Sequence, residues 1–77
     1  MNVKPRSLNT RKLLKSKWTS VTPKNKEKHF LVTLVFEPAL PETNIEFIEL
    51  EAVHSKVSRV IAWRELQDTQ AWQQGWF

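Results

Sequence analysis

The chain predicts an α+β, mainly β domain: a small four-stranded antiparallel sheet with one short helix at its end. Three observations carry that expectation. His29 to Phe36 is a near-continuous run of β-branched and aromatic residues without Gly or Pro, the profile of a strand in the middle of a sheet. Shorter β-prone segments at 17–22, 44–53 and 57–62 surround it, each bounded by polar or Pro-containing turns. After Trp63 the alternation of period two gives way to helix signals, with Asp68 suited to an N-cap and Gly75 to a C′ position.

Taken in order, residues 1–9 lack periodicity and read as a flexible basic arm, leaving 10–77 as a single domain. Asn9-Thr10 caps a short turn that brings Leu13 and Leu14 to the core. Lys17 to Thr22 is an edge strand that Pro23 stops and lysines protect, and residues 24–28 are a polar hairpin loop. In the central strand Phe30, Val32, Leu34 and Phe36 share the heavier face and should meet the core, so Leu34→Ala should cost about 2–5 kcal/mol. Residues 38–43 are a stiff connection with Leu40 tucked inward. In the third strand Ile48, Leu50 and Ala52 face the core while Glu49 and Glu51 face water. Ile45 and Phe47 have the opposite parity, so either that end is covered on both faces or a bulge near Phe47 resets the alternation. His54-Ser55-Lys56 is a tight turn into the fourth strand. Trp63 to Leu66 is a helical or 3-10 turn, and Thr69 to Gln74 is the short helix. Because short strands at this spacing often curl, an SH3-like, partly closed barrel is the alternative architecture.

Net charge is +4 over 77 residues, but the layout is uneven. Residues 1–30 hold nine Lys/Arg against Glu27 alone, a net +8, and residues 31–77 hold three bases against seven acids, a net −4. Such a split suits a basic half that meets phosphates, an anionic membrane or an acidic protein, and equally suits a solvated tail. With no Cys, the chain has neither a disulfide nor a thiolate metal site, and four Trp and four Phe supply the bulk that would otherwise be missing from so small a core. No apolar run resembles a secretory h-region or a spanning helix. The acid-free first 26 residues have a transit-peptide-like composition, yet removing them would delete Trp18 and a strand; cytoplasmic residence is the expectation.

Several stretches resemble a small bacterial family of tryptophan-rich proteins, an uncharacterised domain of unknown function. The resemblance rests on Lys15-Ser16-Lys17-Trp18-Thr19 with Val21 and Pro23, and on Asn25-Lys26-Glu27-Lys28-His29-Phe30. It continues through Glu49-Leu50-Glu51-Ala52-Val53, Trp63-Arg64-Glu65-Leu66 with Asp68, and Trp72 followed by Gly75-Trp76. It covers about residues 12–77. Ala62 departs from the proline that many relatives would carry before Trp63, which loosens that corner. The resemblance implies a compact bacterial domain and transfers no catalytic residue.

Enzyme chemistry finds little footing in the residues. His29 and His54 are the only histidines, and a β domain of this size rarely encloses a pocket that could shift a carboxylate or imidazole pKa. Glu49 and Glu51 point the same way along a strand, as any solvated face would arrange them. His54-Ser55 lacks an acid within sequence reach, and no ligand spacing for a metal is recognisable. The expectation is no catalytic activity, no cofactor and no metal.

The tryptophans separate two functional readings. Trp63 reads as core, Trp72 as the helix residue docked on the sheet, and Trp18, set among lysines on an edge strand, as partly exposed. One reading is nucleic-acid binding, with Lys12, Lys15, Lys17, Lys24, Lys26 and Lys28 on phosphates and Trp18 as a stacking surface. The other is an accessory module that docks on a larger protein through Trp72, Trp76 and Phe77 and the acidic sheet face. Basic residues contiguous in sequence favour the first.

Overall fold

The apolar run at 29–36 does form the middle of a sheet. In the computed structural model, which describes residue 6, residues 8–38 and residues 44–77, five strands lie in one antiparallel sheet. These are β1 (Lys17–Lys24), β2 (Glu27–Val35), β3 (Phe47–Ala52), β4 (Ser58–Ala62) and β5 (Trp72–Gln74), in the spatial order β4-β3-β2-β1-β5. Two 3-10 turns, Thr10–Lys12 and Trp63–Gln67, complete the described elements. The sheet stays open, with β4 and β5 as its edges, rather than curling into the alternative barrel. Its extents are 38 × 35 × 16 Å, those of a single sheet covered on one side. Residues 1–5 and 7 of the basic arm, and the expected inward position of Leu40, lie outside the described residues.

The covered face carries the core: Leu13, Trp18, Phe30, Val32, Ile48, Leu50, Ala52 and Leu66, with Val35, Ile61, Trp63 and Trp72 packed against it. Ile48, Leu50 and Ala52 therefore sit where their spacing placed them. Leu13 comes from the chain after the first 3-10 turn, which Asn9 Oδ1 caps by accepting from Arg11 N–H (3.0 Å). Leu14, expected beside it, is exposed. Leu66 comes from the turn after β4, where Trp63 Nε1–H donates to Ile45 O (2.7 Å) and ties that corner to the entrance of β3.

Leu34 is on the wrong side of the expectation. It is 44 % exposed, because β2 carries a bulge: Val32 pairs with Leu50, but Leu34 pairs with Glu49, so Thr33 is an extra residue. An inserted residue inverts the side-chain alternation beyond it. Val35 rather than Leu34 then joins the core, opposite Ile48, and Phe36 turns outward. Thr33 Oγ1–H donates to Glu49 Oε1 (2.8 Å), holding the bulge. Neither alternative for Phe47 holds: β3 pairs with β4 without a register shift, so Phe47 keeps its opposite parity and stands exposed on the outer face.

The β1–β2 hairpin also differs from the expected five-residue loop. Asn25 and Lys26 both have positive φ (55° and 60°), the signature of a two-residue type I′ turn, so β2 begins at Glu27. Asn adopts that conformation readily, whereas at Lys26 it carries a strain cost. Lys26→Gly should raise stability by roughly 1 kcal/mol, read as a higher urea midpoint at unchanged slope. Pro23 does not stop β1. Between Thr19↔His29 and Lys24↔Glu27 the register jumps, four residues on β1 against one on β2, and Pro23 lies in that irregular stretch where no ladder donor is required.

No helix forms at 69–74. Asp68 does cap a turn, its Oδ1 accepting from Gln70 N–H (2.9 Å), but after Ala71 the chain extends as β5 beside β1. A six-residue helix is marginal on its own, whereas pairing Trp72, Gln73 and Gln74 with Ser20, Thr19 and Trp18 satisfies a strand edge that would otherwise stay open. With β5 in place, β1 is not an edge strand, and Trp18 is 0 % exposed beneath the Arg6 guanidinium (5.1 Å to the ring centroid).

Candidate interaction surface

Among the described residues, only the last residues of the chain lie over the face opposite the core. Strand alternation places Lys17, Thr19, His29 and Leu31 there from β1 and β2, and the bulge adds Leu34. Phe47, Glu49 and Glu51 of β3 and Val60 of β4 complete it. Apolar side chains dominate one end: Leu34, Phe36, Phe47 (45 % exposed) and Val60 (56 %). Surface Leu or Val singly needs no explanation, but several large side chains together on one sheet face mark a contact area.

At the other end the chain folds back on itself. Gly75 has φ 96°, and its N–H donates to Lys17 O (2.7 Å), turning Trp76 and Phe77 over β1 and β2. Thr19 Oγ1–H donates to Gly75 O (2.7 Å) and accepts from Phe77 N–H (3.1 Å), which buries Thr19. His29 Nε2–H donates to Phe77 O (2.7 Å), and Trp76 Nε1–H donates to Phe30 O (2.9 Å). Lys17 Nζ sits 4.7 Å from the Trp76 ring centroid, a cation–π contact at a half-open site. Trp76 and Phe77 thus form a raised ridge, and Phe77 remains 64 % exposed. A Cβ at position 75 would lie 3.3 Å from the Phe77 ring in a backbone conformation that L residues resist. Gly75→Ala should cost about 1–2 kcal/mol and loosen the ridge, seen as a lower urea midpoint and a weaker near-UV tryptophan signal.

The seven residues expected to bind nucleic acid do not converge. Lys12, Lys15 and Lys17 lie at the start of β1, while Lys24, Lys26 and Lys28 lie around the hairpin turn, about 20 Å away by the rise of the strand. Trp18 points into the core between them and offers no ring for stacking. Of the docking set, Trp76 and Phe77 are exposed, whereas Trp72 stands edge-on against Phe30 (centroids 5.1 Å apart) and belongs to the covered side.

Sequence reasoning missed Glu27. As the first residue of β2 it is buried, and its carboxylate accepts from Ser55 Oγ–H (2.6 Å) while Arg59 lies 3.5 Å away. The acid that His54-Ser55 lacked in sequence is supplied across the fold, as a clamp between the two hairpins. Its signal was the Asn25-Lys26 pair, which as a two-residue turn makes Glu27 a strand residue. Beside it a shallow cleft of about 230 Å³ opens where β1 is irregular, lined by Ser20, Thr22, Lys24, Phe30, Arg59 and Trp72 among others. Among the described residues no group of three metal-binding side chains occurs, and no helix is long and apolar enough to cross a membrane.

No curated protein and no solved structure matches the chain. The model of one family does: Tryptophan-rich protein (DUF2389), an uncharacterised family, over residues 16–76. That span contains all five strands, the buried Trp18, the corner at Trp63 and the ridge residue Trp76. The chain therefore belongs to the tryptophan-rich DUF2389 family.

Proposed function

We propose that the domain is a protein-interaction module that docks through the uncovered sheet face, with the Trp76–Phe77 ridge at one end of the contact. The observation that carries this reading is the face itself: Leu34, Phe36, Phe47 and Val60 exposed side by side on a sheet whose core lies wholly on the other side. Several large apolar and aromatic side chains gathered on one exposed face, with charged residues among them, are the composition of a protein contact. Glu49 and Glu51 in the middle of the face repel a phosphate backbone. The separation of the lysines removes the contiguous cationic track that single-strand binding uses.

A photo-crosslinking side chain placed at Phe47, in the cells that make the protein, should give a discrete protein adduct. The same group at Lys26, at the hairpin tip, should give none. Absence of an adduct from Phe47 would count against docking. An affinity for single-stranded oligonucleotides that falls linearly with log salt would instead support the nucleic-acid reading and overturn this one.

A further inference from the structure

We infer that the partner of the uncovered face is a second copy of the chain, packed face to face about a two-fold axis running along β2. This rests on the docking reading and names its occupant.

The argument comes from one row of residues across the sheet. Lys17 pairs with Leu31, Leu31 with Glu51, and Glu51 with Ser58, so a cation, an apolar side chain and a carboxylate stand in line on β1, β2 and β3. Rotation by 180° about an axis parallel to β2 exchanges the β1 and β3 sides and leaves each row at its own level. Lys17 of one copy then faces Glu51 of the other, twice over, and Leu31 faces Leu31. One step along, Lys15 is fixed beside β2 by its N–H to Val32 O (2.8 Å), on the edge that would approach Glu49 of the other copy. An axis perpendicular to the strands would instead set β3 on β3 and bring acids against acids.

The Trp76–Phe77 ridge lies over β1 and β2 at the level of Thr19, His29 and Val53, and under the rotation it keeps that level and meets the end of the other copy where the β3–β4 turn begins. Such isologous contacts require one patch to complement itself, and two sheets stacked with strands within about 30° of each other are the common aligned packing. Five strands at about 4.8 Å and strand lengths near 20 Å give each copy a plan area of roughly 500 Å², which places the contact near the lower bound for a specific interface.

Light scattering across a concentration series of the purified chain tests this. The wild type should shift from monomer to dimer, and Lys17→Glu and Glu51→Lys should each weaken the dimer at least about tenfold by setting like charges opposite one another. An equimolar mixture of the two variants should restore it, because every cross-copy pair is again of opposite sign; a folding defect in either variant could not be repaired by mixing. A wild type that stays monomeric to about 1 mM, or a dimer indifferent to both reversals as edge-to-edge pairing of β4 would be, overturns the inference. A monomeric wild type whose Phe47 crosslink yields an adduct with a different protein overturns the second copy and leaves docking standing. A monomer with no adduct overturns both.

Discussion

Trp18→Ala is expected to cost about 3–5 kcal/mol, the range for removing a large aromatic from a packed interior. For a chain of this length, whose whole stability is roughly 4–12 kcal/mol, that leaves a marginally folded or unfolded domain. The reason is position: Trp18 is fully buried on the inner face of β1, its Nε1–H donates to Ser16 Oγ (2.8 Å), and Arg6 closes over its ring. Arg6 is itself held by the Leu66 carbonyl and by Trp72 O (2.7 Å), so the indole links the segment before β1 to the last strand. Urea denaturation followed by far-UV circular dichroism measures the loss. A loss below about 1 kcal/mol would mean that the indole is not a core residue.

The second large effect belongs to Leu66. It is 0 % exposed and is the buried residue of the Trp63–Gln67 turn, so it is a main anchor of that turn on the sheet. Leu66→Ala should cost about 2–5 kcal/mol. Leu34→Ala, a chemically identical truncation on the open face, should change stability by no more than about 0.5–1 kcal/mol. The pair makes the comparison internal, since both mutants lose the same atoms. Equal losses would place a covering layer over Leu34.

The same two leucines show how far the sequence reaches. Apolar continuity was enough to identify β2 as central, because a strand flanked on both sides is the simplest way to shelter so many apolar atoms. The alternation in Ile48-Glu49-Leu50-Glu51-Ala52 was enough to orient β3, whose inner residues are buried as expected. What defeated the reading of β2 is that Thr33 is β-prone like its neighbours. A bulge costs one unpaired residue and leaves no compositional trace there, yet it inverts everything beyond it. β5 was illegible for a related reason. Asp68 and Gly75 are real turn residues, used to enter and leave a three-residue strand rather than a helix, and only the open edge of β1 decides between them.

The candidate surface was legible in fragments. The terminal Trp76 and Phe77 could cap the core or stand out as an apolar patch, and they stand out, while Trp72, which joins them in the docking set, is the core-facing member of β5. The lysines looked like one site because they are near in sequence. The extended β1 strand carries them apart, and alternation turns Trp18 away from Lys17. Leu34, Phe36, Phe47 and Val60 were read as core or left unremarked, since hydrophobic residues on a strand do not announce which face they serve.

Because the chain has no native cysteine, single substitutions can report each face without interference. The most direct measurement is the rate of thiol labelling at Leu34→Cys and at Val32→Cys in the folded protein, with the rate at Leu34→Cys followed as protein concentration rises. An uncovered docking face predicts fast labelling at position 34 in dilute solution, slowing as the second copy covers it, and slow labelling at position 32 throughout. Slow labelling at position 34 in dilute solution, or fast labelling at position 32 in the folded protein, would contradict the assignment of faces on which the account depends.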